Sequence, residues 1–179
     1  MNMELLKPIL IELGVLGVFL TGLVLSRMLK RRWHPSEIII MYVFGFLFEV
    51  LTAHMWSYLN VFLTFSFTVA KHISILSPLG WAGLVMGTTA IAERLWKRFR
   101  IRNRIPRHCV LMLAWLLLGG GFEITFYNVG MFEYIRSEST QVNFILGQLP
   151  HMPPNMVFLG YFLIMPFISQ YFRWLEDSI

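Results

Sequence analysis

Long apolar stretches separated by short charged links run the length of the chain. Five of them, roughly 5–28, 37–58, 73–95, 109–132 and 156–175, come near the ~20 apolar residues that a helix needs to cross the hydrocarbon layer of a bilayer. The stretch 59–70 is apolar too, but Lys71 and His72 close it too early to cross, and it reads as an interfacial or re-entrant piece. The expected architecture is all-α: a polytopic membrane protein, one transmembrane domain over 1–179, folded as a bundle of five transmembrane helices.

Composition supports the class. Hydrophobic residues make up 56% and charged residues 14%, with a mean hydropathy of +0.62, outside the range of soluble domains. Charge placement then sets an expected orientation. Arg27, Lys30, Arg31 and Arg32 follow the first stretch, and Arg94, Lys97, Arg98, Arg100, Arg102, Arg104 and Arg107 bracket the link between the third and fourth. Lys and Arg accumulate on the cytoplasmic side. The amino terminus is therefore expected outside and the carboxyl terminus, with Arg173, inside, in a prokaryotic plasma membrane. The net charge of +5 reads as topogenic: its partners are anionic lipid headgroups, at about 1 kcal/mol per side chain, and not nucleic acid. Cys109 stands alone, without a disulfide partner or metal spacing. Glu4 and Glu12 spoil a cleavable signal in the first stretch.

Two stretches carry a glutamate in matching surroundings, Phe48-Glu49-Val50 and Phe122-Glu123-Ile124. An ionisable group at membrane depth costs about 2.5 kcal/mol or more, so such groups face a cavity and act. The two stretches resemble copies of one another. His54 and Asn128 keep equal offsets from their glutamates, the pairs Trp56/Tyr58 and Phe132/Tyr134 slip by two residues, and Pro78-Leu79-Gly80-Trp81 matches Pro153-Pro154-Asn155 further on. A parallel repeat of two hairpins would produce this, with the site between the halves. Gly83-x-x-x-Gly87, and Gly14 with Gly17, read as close-packing faces. Gly119-Gly120-Gly121, just ahead of Glu123, allows bending or a close ligand. The polar segment 135–155 reads as a cap over the outer mouth.

At about 1.5 Å per residue, Glu12, Glu49 and Glu123 fall at similar depth in the outer half, with Trp81, Asn128 and Asn155 further out. Side chains three, four and seven apart share a helix face, which groups Thr52 and Trp56 with Glu49, and Tyr127 with Glu123, and turns His54 and Asn128 away. Glu49 and Glu123 are thus the candidate catalytic residues, with Glu12, Thr52, Trp56, Trp81, Tyr127 and Asn155 as candidate binding residues. No metal is expected, because the histidines that such sites add lie on the wrong faces, and no cofactor is expected. Protonated carboxyls in an apolar, aromatic pocket could protonate an alkene. A proton relay, or a purely structural role of capping backbone and pairing with Thr and Tyr, also fits these residues.

Glu49 with Trp56-Ser57-Tyr58, then Pro78-Leu79-Gly80-Trp81, then Pro154-Asn155-x-x-x-Leu159-Gly160-Tyr161, resembles the carotenoid hydratase family, integral membrane proteins that add water across a terminal double bond of a carotenoid. The resemblance covers roughly 45–165. It departs from the family where Ala53-His54-Met55 replaces a Gly-x-Pro-Phe-Gly-type run, and the family is longer, with more spans. It implies acid-assisted hydration of a polyene, with Glu49 and Glu123 as acid and water-orienting base. The chain's own residues leave open two further readings: a small accessory subunit of a membrane complex, or a proton-coupled carrier. Partners would be a lipophilic small molecule, and other membrane proteins or further copies of the chain.

Overall fold

A computed structural model describes residues 3–29, 33–52, 56–59, 61–68, 71–134 and 164–178. Among them the chain is mostly helical: α1 (Met3–Met28), α2 (Pro35–Thr52), α3 (Ser77–Arg98), α4 (Arg104–Asn128) and α5 (Met165–Ser178). Four short strands join them, β1 (Trp56–Tyr58), β2 (Thr64–Thr68), β3 (Lys71–Ser74) and β4 (Phe132–Tyr134).

Helix α3 is the centre of the bundle and packs on α1, α2 and α4, most extensively on α1. Its start is set by Pro78, whose missing N–H is no loss in a first turn, and by Ser74, whose Oγ accepts the Ser77 N–H at 3.1 Å. Small residues let its backbone touch its neighbours. A Cβ on Gly83 would lie 2.5 Å from Phe19 Cα, and one on Gly22 would lie 2.1 Å from the Gly83 oxygen, the close approach that glycine faces permit in helix pairs. Gly45 gives the same room to Pro78, at 3.2 Å. Ser26 ties α1 to α3 by donating to the Met86 carbonyl at 3.1 Å, and Trp115 ties α4 to α5 by donating to Ser169 Oγ at 2.7 Å. Outward faces are apolar: Leu13 and Leu20 on α1, Val43 and Leu47 on α2, and Leu113 and Leu117 on α4 are all exposed.

Above the helices, β1 pairs antiparallel with β4, in the register Trp56↔Tyr134, Ser57↔Glu133 and Tyr58↔Phe132. Leu59 N–H extends this by donating to Met131 O at 2.9 Å. Strands β2 and β3 form a hairpin whose register slips between Ser66 and Thr68. The aromatic pairs that follow the two glutamates in sequence are therefore paired strands. Tyr58 follows Glu49, and Phe132 follows Glu123, by the same nine residues, and the two aromatics lie opposite each other.

The mostly helical chain fits the all-α expectation, whereas five transmembrane helices are not supported. Among the described residues, two helices, Leu6–Met28 and Arg104–Asn128, are long and apolar enough to cross a membrane by length and composition. In the stretch 37–58, helix α2 is described to Thr52 and Trp56–Tyr58 is strand β1; the stretch 73–95 starts in strand β3 before α3 begins at Ser77. The first part of 156–175 lies outside the described residues, and helix α5 covers it from Met165. The expected interfacial piece 59–70 contributes strand β2, where Thr64-Phe65-Ser66-Phe67-Thr68 alternates polar and apolar residues at the period of a strand. The expected cap, 135–155, lies outside the described residues.

Candidate functional site

Glu49 lies in the last turn of α2, where the chain leaves the helix and returns through β1 and the hairpin to the start of α3. That path surrounds one carboxylate with three donors from two elements, β1 and α3. Tyr58 Oη of β1 donates to Oε2 at 2.8 Å; Ser77 Oγ, at the first residue of α3, donates to Oε1 at 2.7 Å; Trp81 Nε1, one turn on, donates to Oε1 at 3.0 Å. Glu49 is 1% exposed, and a buried charge persists only where such partners hold it. The indole N–H can only donate, so the Oε1 it meets acts as an acceptor. The amino-terminal end of α3 adds a favourable dipole.

Tyr58, in β1 beyond the end of α2, has its phenol held well above the usual range, first by burial, then by the Glu49 carboxylate, with the charge of Glu123 adding to it. It therefore stays a donor. Glu123, on α4, is itself buried and is near enough for its charge to be felt at the same phenol.

Aromatic rings wall this cluster. Phe48 meets Trp81 edge-on at 5.7 Å, Trp81 meets Phe122 at 6.5 Å, and Phe122 meets Phe126 at 4.5 Å. Phe122 and Phe126 also line a groove of about 400 Å³ between α1, α3 and α4. Gly80 makes the junction possible: a Cβ there would stand 3.1 Å from Val15 and 3.5 Å from Phe122.

The remaining expected site residues are placed as follows. Trp81 is a direct partner of Glu49. Glu12, expected with the carboxyl layer, is half-buried on α1 and accepts the N–H groups of Phe62 and Leu63 at 2.8 and 2.7 Å, fixing the turn that leads into β2. Tyr127 is half-buried, its ring 6.3 Å from that of Phe132. Thr52 closes α2 and Trp56 pairs with Tyr134 through the backbone; their side chains, and Asn155 and His54 altogether, lie outside the described residues. Asn128 donates to the Ile124 carbonyl on its own helix at 2.7 Å. Ser77 and Tyr58, not among the expected site residues, complete the Glu49 shell. The signal for Tyr58 was present in the Trp56-Ser57-Tyr58 run; nothing local in sequence marks Ser77.

Among the described residues, no three His, Cys, Asp or Glu side chains gather to hold a metal ion. The site defines a class, a helical bundle with an anchored carboxylate behind an aromatic wall and an apolar groove. No family model, curated protein or solved structure matches the chain.

Proposed function

We propose that the protein is a membrane-embedded enzyme or binding protein for a lipophilic, isoprenoid-like molecule, with Glu49 and Glu123 as its acid–base pair. The observation that carries this is a buried carboxyl, Glu49, anchored by three donors, with a second buried carboxyl, Glu123, on α4 and an aromatic wall that reaches the lining of an apolar groove. Acid-assisted hydration fits these parts. A protonated carboxyl adds its proton to the terminal alkene carbon, water bonds to the cation so formed, and the second carboxylate takes the proton that water sheds. The donor set of Glu49 suits the acceptor role, which assigns it the water-orienting base and leaves proton delivery to Glu123, next to Phe122 on α4. Aromatic faces near the cation favour it further.

In this reading the bundle crosses the membrane five times with its amino terminus outside. The two helix–strand units α2–β1 and α4–β4 are halves of a pseudo-repeat, related about an axis through the Tyr58/Phe132 pair. The equal spacing from glutamate to aromatic and the antiparallel β1–β4 pairing support that relation. The test is Glu49→Gln and Glu123→Gln, made separately and expressed in the native membrane. Each is expected to lower product yield a hundredfold or more, within the roughly 10²–10⁴ that a general acid or base contributes, while bound ligand remains extractable. Unchanged product in both variants would refute the carboxyl chemistry.

A further inference from the structure

Buried polar side chains gather at the end of the bundle away from Glu49. Ser26 on α1, Glu37 on α2, and Thr88 and Thr89 on α3 are each at most 4% exposed. Two of the four are satisfied. Ser26 Oγ donates to the Met86 carbonyl at 3.1 Å and accepts Trp33 Nε1 at 3.0 Å, and Thr88 Oγ1 donates back to the Leu84 carbonyl at 2.6 Å. Glu37 closes the first turn of α2, where its Oε2 accepts the His34 N–H at 2.6 Å, as the glutamate of a capping box does. Its Oε1 and the Oγ1 of Thr89 are left over. Among the described residues, these two are the buried side-chain oxygens that meet no hydrogen-bond partner.

The register of α2 and α3 brings them to one place. The two helices run antiparallel: Glu49 meets Ser77 and Trp81, Gly45 packs on Pro78, and Met41 lines a small cavity with Val85. One helical turn back along α2 from Met41 is Glu37, and one turn on along α3 from Val85 is Thr89. Thr89 also forgoes the bond to its own helix that Thr88 and Thr125 make to the carbonyl four residues back. About 18 Å of helix separates Glu37 from Glu49, at 1.5 Å per residue, so this place is distinct from the carboxylate site above.

A buried polar atom without a partner is costly, and two at one place call for a group that satisfies both. No basic side chain is buried with them: Arg27 at the end of α1 and Arg94 on α3 are exposed, and Glu93, one turn beyond Thr89, is half-buried. A carboxylate and a hydroxyl are hard oxygen donors, which suit a hard cation. One carboxylate balances a single charge, and among the described residues no three His, Cys, Asp or Glu gather as a more highly charged ion would ask. We propose that Glu37 Oε1 and Thr89 Oγ1 hold one monovalent metal cation, sodium or potassium, in the seam between α2 and α3. The ion neutralises Glu37 and ties the start of α2 to α3, and water completes its shell. The site stands independently of the lipophilic-ligand reading.

The test is thermal unfolding of the purified full-length protein in mild detergent, in sodium, potassium or choline chloride at equal ionic strength. Equilibrium dialysis against radioactive sodium or rubidium, the latter standing in for potassium, counts the bound ion. With one of the two metals the midpoint rises saturably, by about 3–6 °C at roughly ten times the half-saturating concentration, and one ion is retained per protomer; the metal that does so is the ligand. Thr89→Val removes the bare hydroxyl and keeps its shape, and Glu37→Gln keeps an acceptor for the His34 N–H. Each variant, with an intact fold by circular dichroism, loses both the shift and the retained ion. Glu49→Gln, at the other end of the seam, keeps both. A wild-type midpoint equal in all three salts, with no ion retained, overturns the proposal and leaves a fixed water between the two oxygens. A shift that survives in Thr89→Val and Glu37→Gln overturns it as well, because the ion then binds elsewhere.

Discussion

Taking a carboxylate out of water costs several kcal/mol unless donors replace its hydration, and Glu49 meets that condition with one donor on Oε2 and two on Oε1. Each of those side chains is therefore worth more than its packing. Tyr58→Phe keeps the ring against Phe132 and removes only the hydroxyl; loss of a bond to a charged group predicts destabilisation of about 1.5–3 kcal/mol, measurable as a lower midpoint of thermal unfolding in detergent. A Tyr58→Phe protein as stable as wild type would mean that the bond is idle. At this scale the sequence shows a good deal. A glutamate inside an apolar stretch is conspicuous, and the Pro78-Leu79-Gly80-Trp81 run singles out the tryptophan that the fold brings to it. The contacts that Tyr58 and Ser77 make with Glu49 escape helical spacing for a definite reason. The rule that groups Thr52 and Trp56 with Glu49 assumes one helix through residue 58, whereas Trp56–Tyr58 is strand β1, from which the residue nine places on, not seven, reaches the carboxylate. Ser77 is brought in by the start of another helix, a contact that no local spacing encodes.

Between elements, backbone proximity governs. The α1–α3 seam depends on Gly83 and Gly22, where added atoms would strike backbone and not the end of a flexible side chain. Gly83→Ala is expected to overpack the seam by about 1–3 kcal/mol, while Gly17→Ala, on the same α1 but facing open space, is expected to be neutral or to gain up to about 1 kcal/mol in helix propensity. Comparing the two unfolding midpoints checks this; equal effects would contradict the division of the glycines. Glu12→Ala should free the N–H groups of Phe62 and Leu63, raising their hydrogen-exchange rates while those of α3 stay unchanged. The Gly83/Gly87 face was legible as a packing device, because small residues at helical spacing have few other uses, whereas at Gly17, expected to pack with Gly14, a Cβ would meet nothing within 4 Å. The strands were not, because an apolar stretch long enough for a span outweighs the short alternation that marks β2, and β1 and β4 acquire their character only by pairing with each other across the bundle.

For the molecule as a whole, hydropathy records which surfaces face apolar surroundings, and α3 shows the consequence. It is the central helix, buried along most of its length with Thr88 and Thr89 inside, and it is not among the helices apolar enough to cross on composition, whereas the outlying α1 and α4 are. A helix enclosed by other helices has no need of a lipid-compatible surface. The five-span proposal, with its amino terminus outside, predicts that single cysteines placed at Arg102 and at Leu59 in a Cys109→Ala background react with an impermeant thiol reagent from opposite sides of the membrane, Arg102 from the cytoplasmic side. Labelling of both from one side would refute it. The central claim, that two buried carboxyls serve a lipophilic ligand, is tested most directly by native mass spectrometry of the protein purified in mild detergent, followed by solvent extraction and identification of what it carries. The account predicts a single chain or homo-oligomer with one polyene or prenyl lipid per protomer. A hetero-oligomer carrying no specific lipid would contradict it and make Glu49 and its donors a structural joint within a larger assembly.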